Sequence, residues 1–251
     1  MIQTPWKIRV ISLESDEQRR RPLIEALDQL GLEYEIVPGV DGRNGLPAVW
    51  ESQIDRATAE RRKHRPLSDG EFACALSHRN VCQMILDNGE DGGIILEDDA
   101  IVGPGFAEFV RSGAYRDHSM LMLDYGPVFL GRATVPLYGD IVARPVMFSP
   151  NLATGYTVRK DCASALVEAA TPVRFVADWP CELRDLSTHV VVPRLVDHPE
   201  KGKVSTLEGE RRRLKAVQKA RPKARYLTRS YWRNWLLKRR SSRFRTVPFR
   251  P

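Results

Sequence analysis

With 251 residues, 42% of them apolar, the chain has enough hydrophobic material for one ordinary core, which excludes a disulfide-stapled miniature or a wholly disordered chain. The formal charge of +7 is unevenly spread: residues 201–251 hold 18 Lys and Arg against 2 acids, leaving the first 200 residues with 21 against 30. The globular part is therefore acidic, which disfavours a nucleic-acid module, and no apolar run approaches the length of a membrane span. The N-terminus lacks the positive-then-apolar order of a signal peptide, so a cytoplasmic protein is expected. The four cysteines, at 74, 82, 162 and 181, show neither Cys-x-x-Cys spacing nor accompanying histidine clusters, and are read as reduced core thiols.

In chain order, residues 8–13 form a β-rich run, 19–30 a helical pattern closed by Gly31, and 34–37 a second strand. This is a β-α-β opening and predicts an α/β fold with a mostly parallel sheet. Residues 40–65 read as a polar loop with a short helix. Ser68 and Glu71 stand in capping-box spacing at the head of a helix that ends near Asn88-Gly89. Residues 93–96 are an apolar strand feeding directly into Glu97-Asp98-Asp99, and 120–124 a strand with a similar acidic end. Further on, 151–158 reads as a strand, 161–170 as a helix, 175–178 as a short segment ending in an acid, and 190–196 as a last strand. A domain over 1–206 and a basic, amphipathic helical segment over 207–251, broken near Pro222, are expected.

Three adjacent acids at the end of a buried strand repel one another unless a cation is present. Carboxylate oxygens are hard ligands of the kind Mg2+ or Mn2+ take together with phosphate, and strand ends in α/β sheets are where ligands bind. A metal-assisted departure of a nucleoside diphosphate fits this pattern. An acidic turn in solvent is the plainer reading of the triplet, and the buried Ile94-Ile95-Leu96 run preceding it argues for a site.

Leu67-Ser68-Asp69-Gly70-Glu71-Phe72-Ala73-Cys74-Ala75-Leu76-Ser77-His78 followed by Ile94-Ile95-Leu96-Glu97-Asp98-Asp99 closely resembles glycosyltransferase family 25, of the lipopolysaccharide or lipooligosaccharide β-galactosyltransferase type. Val10 to Leu13 with Arg19-Arg20, Val40-Asp41-Gly42, Gly155-Tyr156 and Asp178-Trp179 extend the resemblance over roughly residues 7 to 206. Ser12 stands where the family commonly has Asn, and Ala73 where it usually has Gly. The resemblance implies a GT-A-type, Rossmann-like single domain, a UDP-sugar donor, inverting transfer of a hexose such as galactose, and a surface-glycan acceptor. It implies that Asp99, with Asp98 or Glu97, holds Mn2+ or Mg2+ against the diphosphate.

A base is needed beside the acceptor hydroxyl, and a carboxylate at a later strand end suits it. Asp178 is the first candidate and Asp124 the second, each also readable as a strand-end cap. Ser12, Arg19, Arg20, Glu71, Ser77, His78, Glu97 and Asp98 are candidates for the donor pocket, although His78 is equally a half-buried helix residue and Glu71 equally a capping partner. Trp232, Trp235 and Leu236 make an apolar stripe flanked by basic residues, suited to an anionic membrane surface and a lipid-linked acceptor, or to packing back on the domain. Two rival functions use the same residues: a metal-dependent nucleotidyltransferase or phosphohydrolase, and an inactive fold serving as a membrane or nucleic-acid binding module.

Overall fold

The computed structural model describes residues 4–176, 179–199 and 229–251, the side chains of 229 and 230 excepted. Asp178 and residues 207–228, including Pro222, lie outside the described residues.

The opening β-α-β unit is present as β1 (Ile8–Ser12), α1 (Glu17–Gln29) and β2 (Tyr34–Pro38). Gly31 follows α1 with φ +63, the left-handed turn that a glycine adopts without strain. The polar stretch after β2 holds two short helices, α2 (Ala48–Glu51) and α3 (Arg56–Lys63), where one was expected. Next comes α4 (Asp69–Asp87), whose Ser68–Glu71 capping box forms as the sequence predicts. After it come β3 (Gly92–Glu97), β4 (Ile101–Val102), α5 (Pro104–Ser112) and β5 (Met120–Met122). A meander of β6 (Val128–Leu130), β7 (Val135–Tyr138) and β8 (Ile141–Phe148) precedes β9 (Gly155–Arg159) and α6 (Lys160–Ala169). The chain then runs through β10 (His189–Val192) and β11 (Val196–Asp197) to α7 (Arg229–Arg240) and β12 (Ser242–Phe244).

Among the described residues, ten strands join in one sheet in the order β12-β6-β8-β10-β5-β9-β3-β1-β2, with β7 on β8. Seven of the ten run in one direction, with β8, β9 and β12 opposed. The fold is the α/β, Rossmann-like architecture expected. Along β3, Ile94 and Leu96 enter one core with Leu23 and Leu27 of α1 and Phe106 and Phe109 of α5, while Ile95 faces Val81 and Ile85 of α4 and Leu166 of α6. That strict alternation buries both faces of the sheet under helices and brings the ends of β1, β3, β5 and β10 to one edge.

Two expectations differ from the structure for physical reasons. The expected strand at 190–196 is split, because Pro193 has no N–H to continue the ladder, and β11 leaves the main sheet to pair with β4 in a small second sheet. The chain beyond 241 is no separate appendage. β12 adds to β6, Arg250 N donates to Arg194 O at 2.8 Å, and Gly105 N donates to Pro251 O at 3.3 Å.

Candidate active site

The acids after β3 do not act as one cluster. Ser12 Oγ, at the end of β1, donates to Asp98 Oδ2 at 3.0 Å, because β1 and β3 are parallel neighbours with Ile11 level with Glu97. Arg19, one turn into α1, meets both aspartates, with Nη2 2.6 Å from Asp99 Oδ2 and Nε 3.2 Å from Asp98 Oδ1. Glu97 turns elsewhere: its Oε1 lies 3.2 Å from His78 Nε2 and 3.9 Å from Cys74 Sγ. A third ligand from Glu97 beside Asp98 and Asp99 is therefore not what the side chains present.

Asp98 is 4% exposed, and its carboxyl is pushed up to about 6. Burial is the main cause. Arg19 and the Ser12 hydroxyl pull the value down, and Asp99 and Glu97 push it up. This carboxylate is short of positive charge even with an arginine against it. A hard divalent cation would supply that charge, and the all-oxygen donors of Asp98 and Asp99 suit one, so the residues fit the metal that the resemblance implies.

The remaining donor-pocket candidates are occupied by the fold. Arg20 Nη1 donates to Leu13 O and Glu14 O at 3.1 and 3.3 Å, tying down the β1–α1 loop. Glu71, 1% exposed, receives a two-pronged ion pair from Arg65 at 2.7 and 2.8 Å while closing the capping box with Ser68. Ser77 Oγ donates to Ala73 O and accepts from Val40 N, both at 2.8 Å, and so pins the segment after β2 to α4. His78 bridges Tyr156 Oη, 3.0 Å from Nδ1, and Glu97. With Tyr156 and Trp179 it lines a small, mostly apolar pocket between α4 and α6. Cys82 and Cys162 are buried thiols pushed up to about 12 by desolvation, consistent with core roles.

Asp124 follows β5 at the same edge, but it is fully buried and both its oxygens are taken. Arg194 Nη1 lies 2.6 Å from Oδ1 and His198 Nδ1 2.7 Å from Oδ2. Asp124 is thus closed to direct contact with an acceptor, contrary to the role expected of it. Asp197 also approaches, 2.8 Å from Arg194 Nη1 and 3.8 Å from His198 Nδ1. Asp124, Asp197 and His198 resemble a ligand set, yet the Arg194 guanidinium lies between the two carboxylates and fills the place a cation would take.

Sequence reasoning missed Arg194, Asp197 and His198. The signal was available, since Asp197-His198 follows an apolar run at a strand end, as Asp98-Asp99 does. The split of that run into β10 and β11, which carries His198 across to β4, has no counterpart in a periodicity pattern.

Residues 6–126, which contain Ser12, Arg19, the α4 motif, the triplet and Asp124, match the sequence model described as glycosyltransferase family 25 (LPS biosynthesis protein). This stretch belongs to glycosyltransferase family 25. The chain is 32% identical over 111 residues to a glycosyltransferase 25 family member of Anopheles gambiae, covering 43% of this chain and 18% of that protein. It is 24% identical over 177 residues to procollagen galactosyltransferase 2 of Mus musculus, covering 65% of this chain and 27% of that protein. A putative glycosyltransferase of Haemophilus influenzae is 25% identical over 226 residues, 84% of this chain and 78% of that protein. The chain thus spans 18% of the Anopheles protein and 78% of the bacterial relative. The family 25 region supplies both strands that carry the Ser12–Asp98 contact, and His198 lies beyond it.

Proposed function

We propose that the protein transfers a hexose, galactose in the first instance, from a UDP-sugar to a saccharide acceptor with inversion, using a divalent cation. The observation that carries this reading is the convergence of Ser12, Arg19, Asp98 and Asp99 at one sheet edge inside the family 25 region. In this reading Arg19, which contacts both aspartates, shares its guanidinium with the diphosphate, a planar fork suited to phosphate oxygens. Ser12 fixes the rotamer of Asp98, and the rigid β1–β3 pair keeps both aspartates in place before a donor arrives. A cation bound by Asp98 and Asp99 would act as a Lewis acid on the leaving diphosphate.

The procollagen galactosyltransferase relative supports galactose as the sugar. The bacterial relative and the family's description support a lipopolysaccharide or related surface glycan as acceptor. The apolar stripe of α7 faces outward, with Trp232 54%, Trp235 36% and Leu236 48% exposed, and Arg233, Lys238, Arg239 and Arg240 on the same helix are exposed as well. No helix among the described residues is long and apolar enough to cross a membrane. In this reading α7 rests on the anionic inner face of the cytoplasmic membrane and brings the site to a lipid-linked acceptor.

The test is turnover of UDP-galactose with Mn2+, following free UDP and a new glycosidic product, with chelated enzyme as the control. Metal-dependent release of UDP together with a glycoside is the expected result. Release of UMP or galactose 1-phosphate instead would replace this reading with a phosphohydrolase or nucleotidyltransferase.

A further inference from the structure

Inverting transfer requires a proton acceptor at the attacking hydroxyl, and Asp124 is sealed from it. Its buried oxygens serve Arg194 and His198, and that second contact changes what His198 is. A carboxylate 2.7 Å from Nδ1 holds the imidazole in the tautomer with its proton on Nδ1, which leaves Nε2 as the basic nitrogen. His198 is about one quarter exposed, whereas Asp124 has no exposure at all. Nε2 has no hydrogen-bond partner among the described residues.

The β11–β4 ladder fixes where this imidazole stands. Val196 pairs with Val102 and Asp197 with Ile101, so the antiparallel ladder ends with His198 as the next residue on one strand and Ala100, which directly follows Asp99, as the next on the other. Asp124 is held at the same edge, because its N–H and that of Leu123 donate to Gly155 O while Glu97 N donates to the adjacent Thr154 O. Gly155 permits the approach: a Cβ there would lie 2.9 Å from Val196, pushing β11 away from β9. The fold therefore delivers a carboxylate-backed histidine to the flank of the Asp98–Asp99 site from about 100 residues further along the chain.

We propose that His198 is the catalytic base and that Asp124 is its positioning residue. This rests on the glycosyl-transfer reading above. As the acceptor oxygen bonds to C1 of the sugar, Nε2 takes its proton. The bond from C1 to the diphosphate oxygen breaks, and its electron pair leaves with UDP. The imidazolium so formed is balanced by Asp124 and passes its proton to solvent. Arg194, between Asp124 and Asp197, offsets the charge of the two acids.

Among the described residues, the charged groups that act on His198 are Asp124, Asp197 and Arg194. The hydrogen bond that His198 donates to Asp124 is the largest influence and raises its proton affinity, burial and Arg194 lower it, Asp197 raises it, and the net direction is upward. Turnover should therefore fall on the acid side, as the imidazole protonates.

The experiment compares wild type with His198→Asn, whose amide keeps a donor toward Asp124, and with Asp124→Asn. Three quantities are read: Mn2+-dependent UDP binding by calorimetry, UDP release from UDP-galactose with water as acceptor between pH 5 and 9, and the His198 tautomer and titration by 15N NMR. The expected result for His198→Asn is UDP affinity within about 2-fold of wild type, turnover reduced at least about 100-fold, and no acid limb. Asp124→Asn should move the histidine titration, and with it the limb, to lower pH. Loss of UDP binding in His198→Asn would overturn the inference by making His198 part of the donor site. Turnover within about 3-fold of wild type, or an NMR tautomer with the proton on Nε2, would overturn it as well. Failure of the wild type to bind UDP would sink the transfer reading, and the base assignment with it.

Discussion

Two buried acids of the family 25 region, Glu71 and Asp98, show how differently one residue class can be used. Glu71 is 1% exposed and fully matched: Arg65 binds both oxygens, and the Ser68 backbone adds a third contact. Asp98 is 4% exposed and poorly matched, with burial pushing its carboxyl up to about 6 against the pull of Arg19 and Ser12. The first arrangement locks the head of α4. The second holds a carboxylate at a sheet edge against the cost of its burial, which lowers stability and, in the proposed function, favours a cation. Burial alone does not separate the two acids; Arg65 is committed to Glu71, whereas Arg19 is divided between Asp98 and Asp99.

The comparison breaks most visibly at Glu71. Glu71→Ala strands the Arg65 guanidinium in a buried position and removes half of the capping box, and it should cost about 3–5 kcal/mol in denaturant unfolding. A loss below about 1 kcal/mol would mean that the pair does not anchor the head of α4.

Asp98→Asn should do the reverse. Because the folded-state value of about 6 lies above the usual carboxylate value, the folded protein holds this proton more tightly than the unfolded chain does. The wild type's stability from this group is therefore present at low pH and is lost as pH rises from about 4 to about 6. The asparagine variant should be more stable by roughly 2 kcal/mol at pH 8, with the gain fading toward pH 4. Equal unfolding midpoints at pH 8 would contradict the charge shortfall.

Ser12→Ala sharpens the contrast with the smallest effect. Losing one hydrogen bond to Asp98 should raise its proton affinity further and move the onset of metal-dependent UDP binding to higher pH, with a stability change within about 1 kcal/mol. An unmoved onset would show that Ser12 does not tune Asp98.

Much of this molecule was legible from sequence. The capping box at Ser68, the β-α-β opening, and the strand running into Glu97-Asp98-Asp99 are local patterns, and local patterns survive folding. Arg19 was identifiable because one turn of helix after a parallel strand is where a side chain can reach that strand edge. What the sequence could not show is how acids divide among partners. Glu97 turns to His78, Glu71 to Arg65, and Asp124 to Arg194 and His198, in contacts that span up to 74 residues. The meander over β6 to β8 and the return of β12 were equally hidden, since short half-buried strands carry little periodic signal. The outward stripe on α7 was found from its spacing, and only the fold shows which way it faces.

The most direct test of the central claim, that Asp98 and Asp99 with Arg19 form a metal-dependent diphosphate site, is calorimetric titration of UDP into wild type and Asp99→Ala. Both would be run with Mn2+ and after chelation, with ADP and GDP as controls. The account predicts uridine-selective binding that needs Mn2+ and falls at least about 100-fold in Asp99→Ala without a change in fold. Binding that survives both chelation and Asp99→Ala, or no nucleotide binding by the folded wild type, would contradict it.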